Sequence, residues 1–264
     1  MVSYLTIILH PDDGFWCLKL MSEITAVSTP AKRNRYFFAA SLIALAFALI
    51  GFLKTFFIPK MYGVFEAPPV IYIHGGLLFL WAAFFVVQAF LIRKRKLKYH
   101  RLLGLGSVVL VSGVAFSTMA VGVYVMKRDL ALGLGEIATS SLVGTFTTPI
   151  VFLIFVAAGI YYRRKPEIHK RLMLLAMITI MWPAFFRFRH YFPGVSNPEL
   201  IFGVLLPNSM TLIVMCWEKL TVGRISPVYL FAGTALFIEN LAENLLFDSP
   251  AWRCVAHWLA GFFV

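Results

Sequence analysis

The chain has 264 residues, of which 60% are hydrophobic and only 14% charged, and its mean hydropathy is +0.83. A water-soluble domain of that composition would expose large apolar patches, so the apolar surface has to face lipid. The net charge of +12 would fit a nucleic-acid partner in a soluble protein. Here the basic residues fall in loops between apolar runs, membrane topology accounts for them, and no nucleic-acid role is expected.

Residues 1–20 carry an apolar stretch broken by Pro11, Asp12 and Asp13, with no basic region before it. That makes a poor signal peptide and is too short to span a bilayer. Met21 opens a polar tail that runs to Arg35 and reads like a native start. Residues 1–35 are therefore expected to be an N-terminal tail, with 1–20 a start-site extension or an interfacial segment.

A bilayer core needs about 20 mostly apolar residues in one helix. Runs of that kind cover 36–58, 70–92, 102–126, 138–162, 169–191, 200–217 and 227–247. Backbone groups in lipid must pair within their own segment, and the runs lack the alternation of barrel strands, so the expectation is an all-α bundle of about seven transmembrane helices over residues 36–250. Residues 251–264 are apolar but short and are expected at the interface or docked on the bundle. Thr145, Thr147, Thr148 and Pro149 predict a local bend in the fourth run, and Pro183 a kink in the fifth.

The basic residues give the orientation. One set of helix ends carries Lys32, Arg33 and Arg35, then Arg93 to Lys98 with Arg101, then Arg163 to Lys165 with Lys170 and Arg171, then Lys219 and Arg224. The other ends are sparser and diluted by acids, so the dense set and the N-terminus are expected in the cytoplasm. The cysteines, Cys17, Cys216 and Cys254, form no C-x-x-C pair and no disulfide or zinc framework; Cys216 reads as a small core residue.

An internal repeat joins two of the basic loops. Phe90 to Leu103 reads much like Ile160 to Met173: a helix end, a basic loop, then His, a basic residue and an apolar run. Related hairpins of this kind often place a site between them. The repeat sets His100 and His169 at matching depth near the basic face. His74 opens the second run and His190 closes the fifth, twenty-one residues after His169 and so about 31 Å away along the same helix. The natural pairs are His100 with His169 and His74 with His190.

Two neutral imidazoles from different helices suit the axial positions of haem iron and bring no charge into the bilayer. Arg101 and Arg171 adjoin the first pair as counter-charges for haem propionates, and Arg187 offers an anion or propionate contact at the far face. Gly104, Gly106 and Gly113 follow His100, and Gly106 and Gly113, two turns apart, share a face of small residues on which a flat macrocycle, or another helix, can lie. The plainer readings are interfacial anchoring for the histidines and snorkelling for Arg187. Glu239 and Glu243, one turn apart in the seventh run, are costly at membrane depth and mark a candidate proton or substrate path. No phosphate loop, Ser-His-Asp arrangement or metalloprotease spacing occurs.

The residues His74-Gly75, His100-Arg101-Leu102-Leu103-Gly104 and Pro166-Glu167-Ile168-His169-Lys170-Arg171-Leu172-Met173, followed by Arg187, resemble an uncharacterised family of bacterial multispanning membrane proteins with an H-G, H-R-x-L-G, H-[KR]-R-x-M order. The likeness covers most of residues 36–260; His190 falls outside it. More distantly, the paired histidines look like those of b-type transmembrane cytochromes and of haem-copper oxidase assembly proteins. Those resemblances imply haem b held by His100 and His169, with His74 and His190 as a second pair, a redox or oxidase-assembly partner, and a bacterial inner membrane. A small-molecule or proton-coupled transporter or sensor lined by Glu239, Glu243 and Arg187 is the alternative expectation, and a non-catalytic assembly scaffold a further one.

Overall fold

Long apolar stretches with few breakers fold as the helices that lipid requires, and the breaks fall where proline, glycine or polar residues stand. The structure is a computed structural model that describes residues 30–263; the expectations for residues 1–29 lie outside the described residues. Helix α1 (Pro30–Phe52) runs on through a π-helical stretch and a short turn to Met61. Then come α2 (Pro69–Arg93), α3 (Leu97–Ala131) and α4 (Glu136–Tyr161). Helix α5 (Pro166–Thr179) is followed across a break by α6 (Trp182–Phe186), extended by a 3-10 turn to His190. A π-helical stretch from Glu199 leads into α7 (Leu206–Val222), another from Tyr229 leads into α8 (Thr234–Leu246), and α9 (Pro250–Ala260) closes the chain.

The fold is an all-α helical bundle, with no strand among the described residues. Five helices are long and apolar enough to cross a membrane, and seven spans result if each of two bent pairs is one span. The first pair, α5 with α6, bends by 41° beside Pro183; the expected kink has its physical cause in the ring that removes a backbone donor. The second, α8 with α9, bends by 95°, as a broken span or a re-entrant turn does. Helix α9 packs on α4, where Trp252 Nε1 donates to Ser140 O at 2.9 Å. Helix α4 is continuous through Pro149, and Thr145 Oγ1 donates to Ser141 O at 3.0 Å. Helix α3 has 35 residues, about 52 Å of helix, which exceeds a hydrocarbon core of about 30 Å. Helix α7 stops at Gly223, whose φ of 78° is the left-handed cap that only glycine takes without strain.

The core lies where α2, α4, α5 and α6 meet, around Trp81, Phe152, Leu174, Met177 and Phe185, all at most 1% exposed. The outward surface is apolar too: Leu105, Val109, Phe116 and Ile213 stand clear of the bundle. In water such a surface would drive aggregation, and a bilayer is the solvent that matches it. Cys216, expected in the core, is exposed on α7; the buried face of that helix is taken by Met210, Val214 and Glu218.

Small residues set the closest crossings. Ala40, Ala44 and Ala48 form a buried stripe on α1, and a Cβ added at Gly51 would overlap the backbone carbonyl of Ala184 on α6. Backbone cannot rotate out of the way, so Gly51→Ala should destabilise by about 1–3 kcal/mol. Thermal unfolding in detergent checks this, with Gly76→Ala as control because a Cβ there meets nothing within 4 Å. Equal midpoints for the two variants would refute the close α1–α6 crossing.

Candidate functional site

The basic loops end in two helix starts of the same design. His100 and His169 are each the fourth residue of their helices, α3 and α5, so the sequence repeat becomes a repeated placement. The two rings converge with centroids 6.3 Å apart and planes at 85°. His169 Nδ1 lies 2.8 Å from the carbonyl of Gly159 on α4. A carbonyl only accepts, so Nδ1 carries the proton and Nε2 keeps its lone pair. His100 is braced by Gln88 of α2, which is 9% exposed. With its amide nitrogen turned toward His100, Gln88 donates to the His100 carbonyl at 3.2 Å and to Nδ1, and its oxygen accepts from Gly104 N–H at 3.2 Å. In that orientation the proton of a neutral His100 sits on Nε2, so Gln88 sets the tautomer of His100.

Of the neighbouring cations, Arg101 is exposed. Arg171 is not turned to the histidines. Its Nε donates to Glu218 of α7 at 2.7 Å and its Nη1 to Glu167 Oε2 at 2.9 Å. Glu218 in turn accepts from Ser226 N–H at 2.9 Å. The pair is enclosed, with side chains 8% and 3% exposed. Its guanidinium lies 5.8 Å from the ring of Tyr229, and Tyr36 stacks on Trp217 beside it, 3.9 Å between centroids. Reading the sequence missed Glu218 and Gln88. For Gln88 the signal was there: it is a lone polar residue in an apolar run, which lipid tolerates only with a partner; Glu218, beside Lys219 just past the end of its run, reads as an ordinary helix-end charge.

At the other end the expected pair does not meet. His74 Nδ1 is 3.2 Å from Ser117 Oγ on α3, whereas His190 is exposed and its carbonyl accepts from Lys54 Nζ at 2.7 Å. Among the described residues, His100 and His169 make the only ring contact between two histidines. Arg187 stands over the ring of Phe52, 4.0 Å from its centroid, and Nη1 donates to Pro183 O at 2.7 Å.

On α8, Glu243 accepts from the Thr147 hydroxyl of α4, and Glu239 Oε1 is buried with no hydrogen-bond partner. Past the end of α8, Asp248 accepts from Arg253 Nε at 2.9 Å and from Ser140 Oγ at 2.7 Å. Those donors, Arg253 above all, pull its carboxyl down to about 2. A depressed carboxylate stabilises above the unfolded range near 4 and loses that contribution as pH falls through about 2. The clasp that holds α9 on α4 should therefore open between about pH 4 and pH 2, reported by the fluorescence of Trp252. Asp248→Asn keeps the left-handed backbone (φ 61°) but should already be open at neutral pH; acid fluorescence changes equal to those of the parent protein would refute the clasp.

Comparison with protein-family models, with curated proteins and with solved structures finds no match for this chain.

Proposed function

We propose that the basic end of the bundle is a haem b site with His100 and His169 as the two axial ligands, serving electron transfer or respiratory oxidase assembly in a bacterial inner membrane. The supporting observation is the convergence of the two rings, 6.3 Å between centroids, from helices that begin in the same way. Metal–imidazole bonds of about 2 Å separate two axial rings by about 6 Å from centre to centre. The chemistry of the donor set also fits: His169 keeps Nε2 bare because Gly159 O holds its Nδ1 proton, the outer-shell hydrogen bond that orients a ligating imidazole. One turn after His100, on the same face of α3, a Cβ added at Gly104 would meet nothing within 4 Å, which leaves open space beside the pair. Ligation through His100 Nε2 would require the proton on Nδ1, and so the Gln88 oxygen at Nδ1 in place of the amide nitrogen that the His100 carbonyl and the Gly104 N–H favour there.

Haem b, when bound, supplies one-electron exchange at its iron. The chain's own residues orient the group. His169 is fixed by α4, His100 by α2, and Arg101 at the exposed end of α3 provides charge for a propionate. The dense basic loops at this end support a cytoplasmic placement for it and for the N-terminus, by the positive-inside rule.

The test is an absorption spectrum of the detergent-purified protein, oxidised and then dithionite-reduced, after expression with haem precursor. A Soret band with sharp α and β bands on reduction is expected, at one haem per chain by pyridine haemochrome. A protein that stays colourless after haem addition refutes the reading. The second reading, a proton-coupled or small-molecule transporter, is favoured by Glu239, whose buried Oε1 lacks a partner. It requires a colourless protein whose transport is lost in Glu239→Gln.

A further inference from the structure

The end of the bundle opposite the dense basic loops holds a group of cations that the haem reading does not use. They come from two segments far apart in the chain. Lys54 lies in the π-helical stretch that follows α1, and Arg187 and Arg189 lie in the 3-10 turn that follows α6. Two contacts join these segments. Arg187 stands over the Phe52 ring, 4.0 Å from its centroid, and Lys54 Nζ donates to the His190 carbonyl at 2.7 Å. Residues three apart in a 3-10 turn eclipse one another, so Arg187 and His190 share a face, and Lys54 meets the turn beside them. Arg189 flanks this face, its guanidinium 3.8 Å from the centroid of Phe186. All three cations act on the His190 imidazole. Among the described residues no carboxylate pairs with any of them; Glu199 acts on Arg189 without forming an ion pair. Arg187, half-buried, donates through Nη1 to Pro183 O at 2.7 Å, and its guanidinium has five N–H donors in all.

Like charges gathered at one place repel, and an anion among them removes that cost. The positive-inside rule does not account for the group, because the dense basic set stands at the other end. Arg187 is eighteen residues beyond His169, at most about 27 Å along the helix, which sets the group near the far boundary of a hydrocarbon core about 30 Å thick. Phospholipid phosphates lie at that depth. Ile50 and Leu53, within a turn of Lys54, and Phe192, just past His190, are exposed and offer apolar surface to acyl chains. We propose that this group of cations binds the phosphodiester of an anionic phospholipid, with Arg187 and Lys54 on the phosphate oxygens and Arg189 at the flank. A planar guanidinium matches phosphate oxygens bidentately, and the Lys54 ammonium meets them as a point charge. The depth and the apolar surface favour a lipid headgroup over a free phosphate.

The test uses the full-length protein in a neutral detergent, titrated with phosphatidylglycerol, with bound lipid counted by native mass spectrometry. A saturable site is expected, and phosphatidylcholine, whose choline cancels the phosphate charge, should bind it about tenfold more weakly or worse. Lys54→Gln combined with Arg189→Gln should weaken phosphatidylglycerol about tenfold or more, because hydrogen bonds to a charged group are lost. That variant keeps the Arg187 bond at the helix break and so tests the site with the bend intact. Arg187→Gln should weaken binding as much, and Arg187→Lys should restore part of it. Lys127→Gln combined with Arg128→Gln removes the same charge from the end of α3 and should leave binding unchanged. Inorganic phosphate should not compete. The proposal is overturned if the cluster variants bind like the parent, if the α3 variant loses as much affinity as they do, or if phosphatidylcholine binds as tightly. Displacement of the lipid by inorganic phosphate overturns it as well, by making the occupant a free anion. The readout does not depend on haem, so it stands apart from the spectrum that tests the haem site. A loss of haem in Arg187→Gln with lipid binding unchanged would overturn the proposal by assigning Arg187 to a propionate.

Discussion

Replacing His169 by alanine is expected to abolish the low-spin haem spectrum. On the haem reading, the variant would remove one of the two imidazoles proposed to hold the group and leave His100 without its partner. Loss of an outer-shell partner alone weakens a metal site by about 10–100-fold, so loss of the ligand should lower haem affinity by more than about 100-fold. His100→Ala should do the same, because the rings converge on one point, 6.3 Å between centroids. Gln88 separates ligation from bulk packing. Gln88→Glu presents only acceptors to His100 Nδ1, favours the tautomer with Nε2 free, and should tighten haem binding. Gln88→Leu keeps the volume, removes the orienting bond, and should loosen it by about 10–100-fold. Haem stoichiometry by pyridine haemochrome reads all four variants. Full haem content in both alanine variants would sink the assignment.

The largest stability effect is expected at Glu218. It is 3% exposed, it accepts from Arg171, and its second oxygen caps the chain at Ser226. Glu218→Leu strands the Arg171 charge inside the bundle, and breaking a buried pair from one side costs about 3–5 kcal/mol. The double variant Arg171→Met with Glu218→Leu removes both charges and should recover most of that loss, since an apolar pair of similar volume replaces an ion pair at little net cost. Thermal unfolding in detergent distinguishes the cases. A Glu218→Leu protein as stable as its parent would show that the pair does not hold α5, α7 and the approach to α8 together. Glu167, which also pairs with Arg171 at 2.9 Å, softens the single loss without cancelling it, because its side chain is 50% exposed and screened.

The helical bundle was legible in the sequence because lipid imposes one rule on every segment: an apolar run of sufficient length must satisfy its own backbone. The same rule made the positions of His100 and His169 readable. A repeated basic loop followed by histidine places each residue at the start of its helix, whatever the helix rotation. Rotation is what the sequence left open. Cys216 reads as core but faces outward, since nothing in an all-apolar run says which side meets the bundle. Arg171 reads as a neighbour of His169 along the chain, yet two residues on a helix are about 200° apart, and the buried Glu218 claims its guanidinium.

Composition, spacing and charge thus determined the apolar, all-helical character of the chain and the matching helix-start positions of two histidines, because each depends on length along the chain alone. Only the tertiary structure decided who meets whom. It joined His100 to His169 and kept His190 exposed and out of ring contact with His74. It turned α9 by 95° from α8 and packed it on α4, and set Arg187 over the Phe52 ring of α1. These outcomes follow from packing of small against large side chains and from pairing of buried charges across helices. Both are interactions between segments far apart in the chain, and no local pattern encodes them.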